Sequence, residues 1–321
     1  MYECIINPSS RSGRGKSLWN ELKRQLESAG IEYRVHMTGG PGDAIRVARE
    51  LTADIEGPDK RRLVVLGGDG TLNEVVSGIC DHSRVLLGYI PTGSSNDFAR
   101  GLKLPRNKEA LIRSIVAGEK VRTLDVGKLT YNHQTHDFSR LHDDRQESTR
   151  HFIVSAGIGF DAAVCEEALS SNTKNFFNRI GLGKLTYGAI ALRNLLRADW
   201  IGIEVEADGR PLTSLDHFLF AAIMLEPYEG GGFRFAPDAV SDDGLFNLCL
   251  IGDMTKPQMF YALPHAYFGR HYGLPGVYHY TAGSIRIRTS IPMWVHTDGE
   301  VMMKSDDITL TCLPRALDMM M

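Results

Sequence analysis

Long apolar runs are missing from this 321-residue chain. The strongest, Phe218 to Leu225, holds eight residues, against roughly 20 for a helix that spans a bilayer. No charged leader precedes an apolar stretch either: Met1-Tyr2-Glu3-Cys4-Ile5-Ile6 reads directly as a strand. Cysteine is scarce. Cys4, Cys80, Cys165, Cys249 and Cys312 are scattered, odd in number and never in C-x-x-C spacing, which argues against a disulfide framework and against a zinc site. Neither sign of charge is in excess, with 36 Lys plus Arg against 39 Asp plus Glu and a formal net charge of −3. A bulk nucleic-acid binder needs a basic excess that is not here. No internal repeat or low-complexity segment is present. These absences lead to the expectation of a cytoplasmic protein.

At about 100–200 residues per domain, the length suggests two domains. The first third alternates strand and helix: a strand at Glu3–Ile6, a helix carrying Leu18, Trp19, Leu22 and Leu26, a strand at Ile31–Met37, and a helix carrying Ala44, Val47, Ala48 and Leu51. A buried strand at Leu63–Leu66, a helix at Thr71–Cys80 and another buried strand at Val85–Ile90 follow. This order implies a parallel sheet with right-handed crossovers. A polar excursion covers about Tyr131 to His151, and its His133, His136, His142 and His151 are read as surface residues. Beyond it the chain is mostly strands (Phe152–Ala156, Trp200–Ala207, His217–Leu225, Gly244–Ile251, Ser284–Thr289, Met293–His296) with one helix at Thr186–Leu196. The expected architecture is α/β: a parallel-sheet domain covered by helices at 1–128, then a β-rich domain, read as a sandwich, at 129–303. The last strand, Ile308–Cys312, returns within a tail at 304–321 to the first domain.

Leu63 to Glu74 is the most informative segment. A buried strand runs into Gly67-Gly68-Asp69-Gly70-Thr71 and straight into a helix. Glycines let a phosphate approach the backbone, and the helix start offers N–H groups and the positive end of the dipole. Asp69 would repel phosphate unless a cation lies between them, and Mg²⁺ supplies one. Pro91-Thr92-Gly93-Ser94-Ser95-Asn96-Asp97 repeats the logic after the next strand. Two neighbouring parallel strands ending in such loops form the crevice where α/β sheets bind ligands. Either loop alone also fits a plain strand-to-helix turn. Ser10 to Ser17 nearly matches a P-loop, but Ser10 replaces the first glycine. Its Arg14 and Lys16 are read as loop charges near the nucleotide, or as solvated. Asp298-Gly299-Glu300 places two carboxylates in one turn, where one can serve as a general base for an alcohol, although Asp-Gly is also the commonest hairpin turn. Pro237 to Gly244 holds Asp238, Asp242 and Asp243, which suit either a cation with main-chain oxygens or a β-turn.

In this order, Gly67–Thr71, Pro91–Ala99, Leu124-Asp125-Val126-Gly127 and Asp298-Gly299-Glu300 make the chain resemble, over essentially its whole length, the bacterial diacylglycerol kinase family, kin to sphingosine and ceramide kinases. The resemblance implies a Rossmann-like three-layer nucleotide-binding domain followed by a β-sandwich domain for the lipid substrate, with the active site in the cleft between them, ATP as phosphoryl donor and Mg²⁺ as cofactor. Gly67, Gly68, Asp69, Gly70 and Thr71 would bind the ATP phosphates, with Asn7, Thr92, Gly93 and Ser94 lining the nucleotide site and Arg14 beside it. Asp69, Asp97 and Asp125 would form an acidic network around Mg²⁺. Asp298 would be the general base, assisted by Glu300. Asp243, with main-chain oxygens of Val240 and Leu245, would match a structural Mg²⁺ site. Ser94 stands where the family usually has threonine, and Ser95 fills a slot that is often glycine. The acceptor is expected to be a lipid, foremost diacylglycerol, with phosphatidylglycerol and sphingoid bases offering equivalent hydroxyls. The enzyme would then touch the inner face of the membrane transiently, Phe176-Phe177 and the apolar side of Thr186–Leu196 being candidates for the acyl entrance. A homodimer is compatible with all of this. An NAD kinase shares the Gly-Gly-Asp-Gly-Thr loop, but Asn96–Arg100 and the late Asp298-Gly299-Glu300 favour the lipid kinase. A catalytically silent binder would have no need of Asp69, Asp97, Asp125 and Asp298 together.

Overall fold

A computed structural model describes residues 1–10, 14–133, 148–163, 165 and 201–321. Strand β1 (Tyr2–Ile6) is buried along its whole length and pairs in parallel with β2 (Tyr33–Met37) and β3 (Arg61–Gly67). β4 (Val85–Pro91) extends the sheet beyond β3, also in parallel. Alternation sorts the side chains onto two faces. Cys4, Ile6, Val64 and Leu66 pack with Leu22 and Leu26 of α1 (Arg14–Ser28) and with Leu111 and Ile115 of α5 (Lys108–Ala117). Ile5, Leu63 and Val65 pack instead with Ala44 and Val47 of α2 (Asp43–Thr52) and with Leu72 and Val76 of α3 (Asp69–Gly78). Helices thus cover both faces, which is why Leu63–Leu66 carries no polar position. A short helix, α4 (Asp97–Gly101), follows β4.

The second half is built on antiparallel strands. β5 (Val121–His133) pairs with β6 (Thr149–Phe152), and β7 (Ser155–Gly159) lies beside β9 (Arg210–Met224). β8 (Ile201–Ala207) pairs with β9 and with β12 (Ser284–Thr297), and β10 (Phe246–Gly252) joins β9 to β11 (Val277–Ala282). The core between these strands centres on Phe152 and Phe246, whose rings stack with centroids 5.7 Å apart, and on Phe218, Leu248, Ile287 and Leu310. Helix α6 (Lys256–Tyr267) rests on the outer face of β9 and β10 through Met259 and Ala262.

One long strand connects the two halves. β13 (Glu300–Met320) begins against β12 and ends with Asp318, Met319 and Met320 parallel to β4. The last strand therefore does return to the first sheet, at 318–320 rather than at Ile308–Cys312 alone. Its full length was hidden because Arg315 takes a left-handed conformation and the register against β5 shifts between Leu313 and Leu317. The expected strands at Ser284–Thr289 and Met293–His296 are one strand, β12, with a bulge between Arg288 and Met293 that interrupts the alternation. Helices α5 and α6 and strand β11 were not foreseen. Within α6, Pro264 stands inside the helix and obscures its period.

Candidate active site

The carboxyl ends of β1, β3 and β4 form one rim. Asn7 N–H donates to the Leu66 carbonyl at 2.9 Å and Thr92 N–H to the Gly67 carbonyl at 2.8 Å, so the loops after these strands are held side by side. The Asn7 amide donates to Thr71 Oγ1 at 3.0 Å, and the Thr92 hydroxyl donates to Ser10 Oγ at 2.8 Å. A methyl group on Gly68 would stand 3.3 Å from Gly93 Cα, one on Gly93 would stand 3.0 Å from Gly68 Cα, and one on Gly67 would meet Thr71 Cβ at 2.6 Å. The two loops touch backbone to backbone, and only glycine permits that approach. Exposed Ser94 lies at their mouth. The structure thus gathers Asn7, Gly67, Gly68, Asp69, Gly70, Thr71, Thr92, Gly93 and Ser94 on one rim. Arg14 opens α1, and its side chain lies outside the described residues, as do residues 11–13.

Asp69 is the first residue of α3. One of its oxygens accepts from the Tyr89 hydroxyl at 3.3 Å, the other from the Asp97 N–H at 3.1 Å. Asp97 is buried; its oxygens accept from Arg100 Nη1 at 3.0 Å and from Gly231 N–H at 2.8 Å. Burial, reinforced by the charge of Asp97, pushes the Asp69 carboxyl up to about 6. Oxygen donors whose ionised forms repel each other suit a hard divalent cation, so Asp69 and Asp97 fit Mg²⁺. The sign of the shift gives a test. A carboxyl raised above its ordinary value stabilises the fold at low pH and loses that contribution as pH rises through about 6. Asp69→Asn should therefore stabilise the metal-free protein at pH 7 by about 1–2 kcal/mol after allowing for solvent screening, read as a higher melting temperature. The gain should vanish near pH 4, and turnover should be lost. A lower melting temperature at pH 7 would show that Asp69 is not strained by its surroundings.

The turn between β12 and β13 carries Asp298 and Gly299 at φ of 50° and 84°, the pair a two-residue hairpin requires. One Asp298 oxygen accepts from the N–H groups of Val154 and Ser155, both at 2.9 Å. The other accepts from the Asn73 amide at 2.9 Å and the Ile153 N–H at 3.2 Å. Burial raises the pKa of this carboxyl, while the surrounding donors oppose the rise. Asn73, fully buried on α3, is met in turn by Arg150 Nη2 at 3.4 Å. Glu300 reaches back over the glycine loop: a methyl group on Gly70 would stand 2.6 Å from Glu300 Oε1. The hairpin and the Gly67–Thr71 loop therefore share one site, with Asp298 close enough to Asp69 to raise its pKa.

Asp125, expected with Asp69 and Asp97 around Mg²⁺, has direct partners of its own elsewhere. β5 runs antiparallel to the end of β13, and its Val121, Thr123 and Leu124 face Met320, Asp318 and Leu317. Asp318 is level with Leu86, whereas Pro91 is level with Gly67. Asp125 therefore lies toward the amino end of β4, away from the glycine rim. Its oxygens accept from Gly244 N–H and Arg315 N–H, both at 2.7 Å, and burial with the charges of Asp243 and Asp242 raises its pKa. It anchors the turn that holds Asp243. In that turn Asp243 accepts from Leu245 N–H at 3.0 Å, and Val240 and Leu245 are 44% and 37% exposed. This is the geometry of a self-bonded Asp turn.

Several residues of the site had no local signal. His296 is fully buried, with Nε2 3.2 Å from Asp161 Oδ2 and 3.1 Å from Glu229 Oε1. Among the described residues these three side chains are the group of His, Asp and Glu whose donor atoms converge within 4.8 Å. Gly299 N–H donates to His296 Nδ1 at 3.2 Å, which leaves the ring proton on Nε2, where a metal would have to bind. The triad is thus a hydrogen-bonded brace behind the Asp298 turn. His151, expected at the surface, packs edge-on against His82 with centroids 4.7 Å apart, and burial lowers its pKa to about 4. His136, His142, Phe176-Phe177 and Thr186–Leu196 lie outside the described residues.

Comparison with known proteins bears on this geometry. The diacylglycerol kinase catalytic domain matches residues 2–129, and the YegS C-terminal NAD kinase beta sandwich-like domain matches residues 153–321. A diacylglycerol kinase of Staphylococcus carnosus is 31% identical over 92% of this chain and 87% of its own length. The crystal structure of a diacylglycerol kinase from Bacillus anthracis superposes with a TM-score of 0.68 at 20% identity, covering 99% of this chain and 96% of that one. An NAD kinase from Archaeoglobus fulgidus, solved in complex with ATP, shares the fold at a TM-score of 0.52 and 15% identity, over 100% and 94% of the two chains.

Proposed function

The chain belongs to the diacylglycerol kinase family, and from that premise we propose that it transfers the γ-phosphoryl group of ATP to a lipid hydroxyl, with diacylglycerol as acceptor and phosphatidic acid as product. The observation that carries the reading is the meeting of three parts at one place: two glycine loops in backbone contact, the Asp69–Asp97 pair between them, and a second-half carboxylate, Glu300, over Gly70. The loops offer N–H groups and the start of α3 to phosphate oxygens. Asp69 and Asp97 would hold Mg²⁺, which when bound offsets the charge of the phosphates. Residues 1–128 with 304–321 hold the nucleotide in this scheme, and residues 129–303 present the acceptor.

The proton-accepting role passes from Asp298 to Glu300. Both oxygens of Asp298 already accept two N–H donors each, which occupies the lone pairs a substrate hydroxyl would need. Asp298 then acts as the positioning residue that ties the hairpin to β7 and α3. Glu300 lies on the cleft side, beside the loop that would hold the γ-phosphate. Positioning and charge stabilisation supply most of the remaining rate.

The test is ATP consumption by the purified protein with Mg²⁺ on diacylglycerol micelles, phosphatidylglycerol, sphingosine and NAD in parallel. Turnover on diacylglycerol is the expected result. Turnover on NAD alone would transfer the assignment to the NAD kinase reading. Silence on all four would overturn the proposed reaction.

A further inference from the structure

Two elements of the second half reach the first. One is the hairpin between β12 and β13, whose Glu300 stands over Gly70. The other is the loop from Glu229 to Phe233, whose Gly231 N–H donates to Asp97 at 2.8 Å. This loop is closed on itself. Glu229 N–H donates to the Phe233 carbonyl and Phe233 N–H to the Glu229 carbonyl, both at 2.9 Å. Between them Gly230, Gly231 and Gly232 all have positive φ, at 61°, 82° and 117°, a run that only glycine adopts without strain. A loop pinned in this way stays where Glu229 is held.

One side chain touches both elements. His296 lies fully buried near the end of β12. Its Nδ1 accepts from Gly299 N–H in the hairpin at 3.2 Å. Its Nε2 lies 3.1 Å from Glu229 Oε1 in the loop and 3.2 Å from Asp161 Oδ2, just beyond β7. A methyl group on Gly157 would collide with both Asp161 Oδ2 and His296 Nε2, so this glycine leaves the space that the ring occupies. A ring protonated on both nitrogens would set Nδ1–H against the Gly299 N–H. The neutral ring with its proton on Nε2 is therefore the form that holds hairpin and loop together.

We propose that His296 is a positioning residue for phosphoryl transfer: it couples the hairpin that carries Glu300 to the loop that holds Asp97, so that the proton acceptor and the cation-binding pair keep one fixed separation. The use of this coupling rests on the lipid-kinase reading, but the coupling itself does not. The competing role is that of a histidine that only fills space in the core. The two nitrogens of the ring can be removed one at a time. Asparagine places an oxygen where Nδ1 stands and leaves nothing at Nε2. Glutamine carries its amide nitrogen to Nε2 and leaves nothing at Nδ1. His296→Asn thus cuts the tie to the loop, and His296→Gln cuts the tie to the hairpin.

The experiment is amide hydrogen exchange of the full chain, without nucleotide or metal, in the wild type and both variants. In His296→Gln, exchange should quicken about five-fold in the hairpin at 298–300 and stay as in the wild type at 229–233; in His296→Asn the pattern should reverse. With Mg²⁺ and a non-hydrolysable ATP analogue, His296→Asn should bind nucleotide about five-fold more weakly, because Asp97 is less firmly held, and His296→Gln should bind as the wild type does. With ATP and diacylglycerol, His296→Gln should lose kcat about 10²-fold at an unchanged KM for ATP. If one variant melts too low to measure, the other decides, since each must show fast exchange at one element and native exchange at the other. Equal exchange at both elements in either variant would overturn the proposal, and so would loss of folding in both. The expected exchange pattern alongside silence on every acceptor would sink the reaction and leave the coupling standing.

Discussion

Glu300→Gln should lower kcat about 10²–10⁴-fold, the range that removal of a general base produces, with nucleotide affinity and melting temperature close to those of the wild type. The substitution keeps the size of the side chain over Gly70 and removes only its basicity. Its effect should be confined to the chemical step, with kcat and kcat/KM for the acceptor falling together, because proton acceptance matters in the transition state and not in binding. A rate-against-pH profile gives a second readout. The part of the wild-type profile that follows ionisation of the base should be lost in the variant, because the amide does not ionise. Turnover within about three-fold of wild type would remove Glu300 from the chemistry.

Asp298→Asn should instead unfold the protein at lower temperature, with a loss of about 2–4 kcal/mol. Each oxygen of Asp298 accepts two donors, on one side the Val154 and Ser155 N–H groups and on the other the Asn73 amide and the Ile153 N–H. An asparagine must turn its NH₂ toward one of these pairs. Either orientation sets donor against donor and strands two N–H groups in a partly enclosed place. The hairpin between β12 and β13 would lose its tie to β7, and Glu300 would move with it. Turnover should therefore fall as well, so activity alone does not separate an anchor from a base. Calorimetry separates them. A base mutated to its amide keeps its melting temperature, and an anchor with these partners does not. If Asp298→Asn melts like the wild type, has no turnover and still binds ATP, Asp298 is the base after all. The two variants measured side by side thus decide which carboxylate of Asp298-Gly299-Glu300 takes the proton.

The division of roles between these two residues shows where reading by sequence stops. Asp-Gly in a hairpin position and a glutamate one residue on mark a turn with two carboxylates, and nothing in the tripeptide says which one faces the cleft. That follows from the three consecutive N–H groups of Ile153, Val154 and Ser155, which belong to a segment almost 150 residues earlier in the chain. Asp125 is a similar case. Its place in Leu124-Asp125-Val126-Gly127 resembled a metal-network position, but the register of β5 on β13 carries it toward the other end of β4.

By itself the sequence determined what depends on neighbours along the chain. The unbroken apolar run Leu63–Leu66 specified a strand covered on both sides. Gly67, Gly68 and Gly93 specified loops into which no side chain projects, and the order of strand, glycine loop and helix placed both loops at one sheet edge. These properties are set by the reach and shape of a few consecutive residues. Only the tertiary structure decided what depends on residues brought together from afar. The Asp69–Asp97 contact, the brace of His296 with Asp161 and Glu229 and the reach of Glu300 over Gly70 are of this kind. Each joins side chains from separate elements, and whether a carboxylate is a base, an anchor or a cation ligand depends on which donors and charges surround it after the chain has closed.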